Sequence, residues 1–271
     1  MELDGRVAVE ERQFRGKQGR LVFAYLVCQR ARAVSREELV DLLWPDGPAA
    51  SWEIALSAVL SRIRHLTSHD PLQDSGASLS RGSSQYQLRL PLDIWVDIEV
   101  GAGAIERAEI ALKADDRQSV LGPATAAAAI ARRPFLSGLS GRWVESQRDR
   151  LRRQLLRSLN VLSKTWLIEE QYVLAIEMAT EAITIDPHRD ASYQLLMNAH
   201  AAAGNRSEAL KVFHKLREYL SSDLGTEPSL DTQDIYGLMT PKTATTVTAG
   251  NWPTPRHHRQ PPPPLAANRP L

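Results

Sequence analysis

The sequence predicts a mainly α protein, in which a small α+β module precedes an all-helical repeat array. Three observations predict it. Three helical patterns and a hairpin pattern follow one another before residue 96. A 34-residue period runs through residues 162–216. Ala, Leu, Glu and Arg dominate residues 97–239, where prolines are few. The chain has 271 residues, 33 Lys+Arg against 32 Asp+Glu and 43% hydrophobic residues. That suits a globular chain of about two domains and excludes a simple polycation, so any nucleic-acid binding must come from local placement of charge.

Asp4-Gly5 is a hairpin signal, and Val7 and Val9 alternate with charges as in a half-buried strand. Residues 18–30 carry Leu21, Val22, Tyr25, Leu26 and Cys28 at helical spacing. Ser35 to Glu38 reads as a capping box, in which hydroxyl and carboxylate each satisfy the other end's free amide. Leu39, Leu42 and Leu43 stripe the helix that follows, and Trp44-Pro45 ends it. A third helix spans about Ser51 to Thr67, with Leu56, Val59, Leu60 and Ile63 inward. Residues 68–78 read as a polar loop, Arg81 to Ser84 as a turn, and Tyr86, Leu88 and Leu90 alternate as a strand.

The period of 34 aligns Leu162 with Leu196, Trp166 with His200, Ala175 with Ala209, Ala179 with Phe213 and Ala182 with Leu216. Small and large residues matched at that spacing mark stacked tetratricopeptide helix pairs. Helices at 97–160 and 228–239 are expected to complete the array, because such pairs cannot bury their faces alone. Residues 240–271 hold eight of the sixteen prolines and read as a disordered tail. The domains expected are therefore 1–96, 97–239 and 240–271.

The third helix is the sharpest functional candidate. Opposite its core stripe lie Ser51, Ile54, Ala58, Ser61, Arg62 and His65, with Arg64 on the flank. Small groups, hydroxyls and cations suit the floor of a DNA major groove; a solvated helix face has the same composition. Arg15, Lys17, Arg20, Arg30, Arg32 and Arg36 form a run of six cations with no acid, able to neutralise phosphates. Arg81 at the hairpin tip reads equally as a groove contact or as a plain surface turn. Arg142 to Arg157 reads as the wet face of a helix that turns Trp143, Leu151 and Leu155 inward.

Signals for other chemistry are weak. Gly16-Lys17 lacks the rest of a phosphate loop, and no GxSxG, HExxH or CxxC occurs. The histidines are dispersed, and Cys28 reads as core. No enzyme activity, cofactor or metal is expected. The charged N-terminus shows no secretory signal and no apolar run reaches membrane length, so a cytoplasmic protein without membrane contact is expected.

Several stretches together resemble the actinobacterial antibiotic-regulatory-protein type of activator: VSREELVDLLWPDGP (34–48), ALSAVLSRIRHL (55–66), RGSSQYQLRLP (81–91), GRWVESQRDRLRRQLLRSL (141–159), the segment 175–220 and LGTEPSLDTQDIY (224–236). That family joins an OmpR-like winged helix-turn-helix to a helical bacterial transcriptional activation domain of tetratricopeptide type. The resemblance covers about residues 1–239. It implies sequence-specific binding to double-stranded DNA, often as a homodimer on direct repeats near a promoter, and recruitment of RNA polymerase holoenzyme. It places base contact on Ser61 and Arg62 with Ala58 close by, further contact on Arg64 and His65, and wing contact on Arg81. Arg15, Lys17 and Arg36 are then expected at the DNA backbone.

Two departures from the family carry expectations of their own. About eight residues of a first strand are missing before Asp4-Gly5, which points to an upstream start codon or a degraded gene. Gln85 stands where the family has glycine, and a positive φ there would strain it. The alternative from another class is a tetratricopeptide-like scaffold for protein partners, whose shortened winged helix no longer binds DNA.

Overall fold

In the computed structural model, residues 2–3, 6–7, 11–14, 16–48, 50–68, 77–82, 84–90 and 94–240 are described. The chain opens with β1 (Glu2–Leu3) and β2 (Arg6–Val7), antiparallel with Leu3 opposite Arg6. That register leaves a two-residue connection, as an Asp-Gly hairpin requires; Asp4 and Gly5 themselves, Val9 and Arg15 lie outside the described residues. A 3-10 turn at Glu11–Phe14 leads into α1 (Lys17–Cys28). A Cβ at Gly19 would stand 2.5 Å from the Phe14 carbonyl oxygen, so only glycine lets the turn fold back onto the helix.

β3 (Val34–Ser35) runs directly into α2 (Arg36–Leu43). The expected capping box is present: Ser35 Oγ accepts from the Glu38 amide at 3.1 Å, and the Glu38 carboxylate accepts from the Ser35 amide at 3.3 Å. A short turn at Trp44–Gly47 precedes α3 (Trp52–Thr67). β4 (Ser78–Arg81) and β5 (Gln85–Arg89) close the module in an antiparallel sheet ordered β3-β5-β4. Leu56, Leu60 and Ile63 of α3 meet Val22 and Leu26 of α1, Leu39 of α2, and Tyr86 and Leu88 of β5 in one apolar core. The expected strain at Gln85 is not found. It pairs with Ser35 as an ordinary residue of β5, and the positive-φ residues other than glycine are Asp115, Leu136 and Glu170 among those described. A strand needs no glycine there, because its backbone is extended.

The remaining helices are α4 (Asp97–Lys113), α5 (Leu121–Ala131), α6 (Arg142–Ile168), α7 (Tyr172–Ile185), α8 (Asp190–Ala202), α9 (Arg206–Tyr219) and α10 (Leu230–Met239). α5 is nearly all alanine on its inner side. Ala124, Ala127 and Ala128 are wholly buried against Ile105 of α4 and Leu155 and Leu159 of α6. Small side chains bring the three helices close enough for Gln154 to donate to the Ala127 carbonyl at 3.3 Å. The residues matched by the period of 34 fall on α6–α7 and α8–α9, with Ala175, Ala179, Ala182, Ala209 and Leu216 all fully buried. Asp186 ends α7, and Gly204, with φ 79°, closes α8. α10 caps the array, its start held where Asp190 accepts from the Ser229 amide at 2.7 Å and from Thr232 Oγ1 at 2.9 Å.

Residues Met1–Met239 form one compact unit. The front elements dock on the helical array through α1 and the start of α6. Tyr25 meets Trp143 edge-on at 5.1 Å, and Trp143 meets Phe135 at 5.7 Å. Leu21 packs with Leu139 and Val144, Arg20 donates to the Ser137 carbonyl at 2.8 Å, and Arg30 forms a two-pronged pair with Glu99.

Candidate nucleic-acid interface

α3 sits across the front module with one side in the core and the other in solvent. At 100° per residue, Ile54, Ala58, Ser61 and His65 lie within about 60° of one another, opposite Ile63. All four are exposed, and Ile54 keeps 75% of its surface. Arg62 and Arg64 stand half-buried on opposite flanks of that strip. Ala58, Ser61, Arg62 and His65 also border one open depression of about 550 Å³, floored by Phe14, Gly19 and Val59. Four of the five helix residues expected from the sequence thus share one depression, and Arg64 stands outside it on the other flank.

The flanks differ in freedom. Arg62 Nε donates to the Gln13 carbonyl at 2.9 Å, which ties its guanidinium to the 3-10 turn. The charge at α3's N-terminus is committed as well. Arg36 lies with its guanidinium 4.8 Å from the centre of the Trp52 ring and 3.5 Å from Glu53, tying the starts of α2 and α3 together.

The run of six cations is largely spent on the protein. Arg20 and Arg30 bind the helical array. Arg32 grips Glu38 at 2.7 and 3.0 Å, and Tyr25 Oη donates to the same carboxylate at 3.0 Å. The Arg32 guanidinium, with the Ser35 amide and the Tyr25 hydroxyl, holds the Glu38 carboxyl down to about 2, against the ordinary 4.5. Lys17 is exposed on the first turn of α1, and Arg15 is outside the described residues. Arg81 closes β4 opposite Tyr86, beside Gly82, whose amide donates to the Gln85 carbonyl at 2.9 Å. Leu79 of β4 and Leu88 of β5 share the apolar core with α3.

Elsewhere Arg148 and Arg157 of α6 serve packing and pairing, while Arg142, Arg150 and Arg153 are exposed. Arg148 donates to the carbonyls of Phe135, Leu136 and Leu139 at 2.9–3.2 Å, and Arg157 holds Glu109 at 2.7 and 2.8 Å. Cys28 is half-buried, and burial pushes its thiol up to about 11, which leaves it a poor nucleophile. Among the described residues no three His, Cys, Asp or Glu gather as a metal site, and no helix is long and apolar enough to cross a membrane. Sequence reasoning missed Gln13, Ser137 and Glu99 as partners of the basic side chains. They lie 49, 117 and 69 residues away from them, and no local pattern could signal the pairing.

With the geometry in place, comparison with known proteins decides the family. The model of the bacterial transcriptional activator domain matches residues 96–237, just over half of the chain. The chain belongs to the bacterial transcriptional activator domain family. The helices α4 to α10 are that domain's all-helical array, and the family points to transcriptional regulation rather than catalysis. The regulatory protein AfsR of Streptomyces griseus is 24% identical over 213 residues, which are 78% of this chain and 21% of AfsR. The structure of Mycobacterium tuberculosis EmbR, solved in complex with a low-affinity phosphopeptide, superposes with a TM-score of 0.76 at 20% identity. It covers 88% of this chain and 62% of the EmbR chain. The chain thus spans about a fifth of AfsR and under two thirds of EmbR. The resemblance to antibiotic-regulatory-type activators read from the motifs is borne out, and EmbR shares the mainly helical fold.

Proposed function

We propose that this bacterial transcriptional activator domain protein binds double-stranded DNA sequence-specifically and activates transcription. Residues 1–96 then form an OmpR-type winged helix, in which α2 and α3 are the helix-turn-helix, α3 enters the major groove, and the β4–β5 hairpin is the wing. Residues 97–239 form the activation domain, which contacts RNA polymerase holoenzyme and pairs two copies on direct repeats near a promoter. Ser61, with Ala58, faces base edges. Arg62 reads base edges beside Ser61, Arg64 and His65 meet the backbone, and Arg81 reaches from the wing. Lys17 and Arg15 serve the phosphates, and Arg36 joins them by exchanging Glu53 for a phosphate.

The observation that carries this reading is the outer face of α3, an exposed strip of Ile54, Ala58, Ser61 and His65 between two arginines, on a helix whose inner face packs on the β4–β5 hairpin. The test is selection from a random duplex pool, followed by titration of the enriched site against salt. A repeated motif and a steep fall of affinity with salt are expected, since released counterions drive phosphate contacts. Arg62→Ala should weaken the selected site by about 1–3 kcal/mol while melting remains cooperative. No enrichment, with weak binding indifferent to Arg62, would refute it.

A second reading has its own support. Arg20, Arg30, Arg32 and Arg36 are engaged by protein groups, which thins the phosphate-binding surface. On that reading the helical array is a protein-interaction scaffold and binds no operator, and the same selection separates the two.

A further inference from the structure

The face of α3 is layered. Its two cations stand at the edges, about 80° to either side of the line through Ile54, while the line itself carries Ile54, Ala58, Ser61 and His65. Near the start of a helix lying in a groove the centre line meets base edges directly, while long cations at its edges reach base edges or phosphates from the sides. The first half of the centre line itself carries Ile54 and, one turn later, Ala58, with Ser57 exposed about 60° to one side and Glu53 turned aside to Arg36.

Ile54 also stands out as a solvation cost. Every other large apolar side chain of α3, from Trp52 through Leu66, packs into a core, yet Ile54 keeps 75% of its surface in water. It lies on the first turn, the part of a recognition helix that reaches deepest toward the bases. Within the major groove the apolar feature is the thymine 5-methyl group, the natural contact for an aliphatic side chain.

The geometry points to Ile54 as a specificity-determining residue that takes a thymine methyl group. Ala58, about 6 Å further along the helix, lies against the next base-pair step. The inference rests on the groove-reading function proposed above and names the base class its first turn selects.

The experiment uses the full chain and the operator enriched from the random pool, with each thymidine replaced in turn by deoxyuridine, which lacks only the methyl group. The wild type should lose about fourfold in affinity at one thymine, the worth of one buried methyl. Ile54→Ala should bind the parent operator about fourfold or more weakly and be indifferent to deoxyuridine at that thymine. Ile54→Val should retain the discrimination. Equal deoxyuridine penalties in wild type and Ile54→Ala, or an Ile54→Ala protein that binds the parent operator unchanged, would overturn the assignment and leave groove reading intact. A wild type that selects no operator would remove groove reading and this inference together. Matching melting curves establish that the variants are folded.

Discussion

Glu38 does three things with one side chain. It completes the cap of α2, pairs with Arg32 and accepts from Tyr25. Its pKa is held below the ordinary value of 4.5, at about 2, so the stabilisation is complete above about pH 4.5 and is lost as pH falls toward 2. Glu38→Gln should therefore be less stable than the wild type at neutral pH, and the difference should close between pH 4.5 and 2 in denaturant titrations. An equal difference at both ends would locate the contribution in packing rather than charge. This residue was legible in the sequence because a capping box is local, three residues from end to end. The Arg32 and Tyr25 partners were not, since their approach depends on the turn after α1.

At the scale of elements, the helices of the front module and of the 34-residue match were readable, because 3.6-residue periodicity and the repeat are properties of short stretches, whereas α4 and α5 were read only as unseparated helices within 97–160. The outer face of α3 was readable for the same reason. The sequence does not show what anchors that face: Arg62 on Gln13, and Arg36 on Trp52 and Glu53, follow from tertiary placement. The alanines of α5 make the complementary point. Their small size looks like weak patterning in the sequence, yet it is what lets α4 and α6 close over the helix. Ala128→Leu should cost about 1–3 kcal/mol through overpacking, measured by urea unfolding. A smaller loss would mean that the three helices can move apart.

Across the whole molecule, the docking of α1 on the start of α6 joins the front module to the array. Tyr25, Trp143, Leu21 and Val144 form an apolar contact with Arg20 and Arg30 at its edges. One cooperative thermal transition is expected for the wild type. Trp143→Ala removes the central ring and should separate the unfolding of the two parts into two transitions by calorimetry. A single transition in the variant would place the coupling elsewhere. Nothing in the sequence signalled this joint; Trp143 read only as an inward residue of an amphipathic helix.

α6 has a property that belongs to its length. Its 27 residues make a rod of about 40 Å, with Trp143 near one end and the first matched helix pair at the other. A rod held at its end is a lever. On the proposed function, a tilt of about 5° about the Trp143 end carries the distal turn about 3.5 Å, the rise of one base pair. The distance between a bound operator and whatever grips the far end of the array then varies with that tilt on the scale of a base-pair step. Inserting a single base pair between operator and promoter should then matter as much as losing a contact.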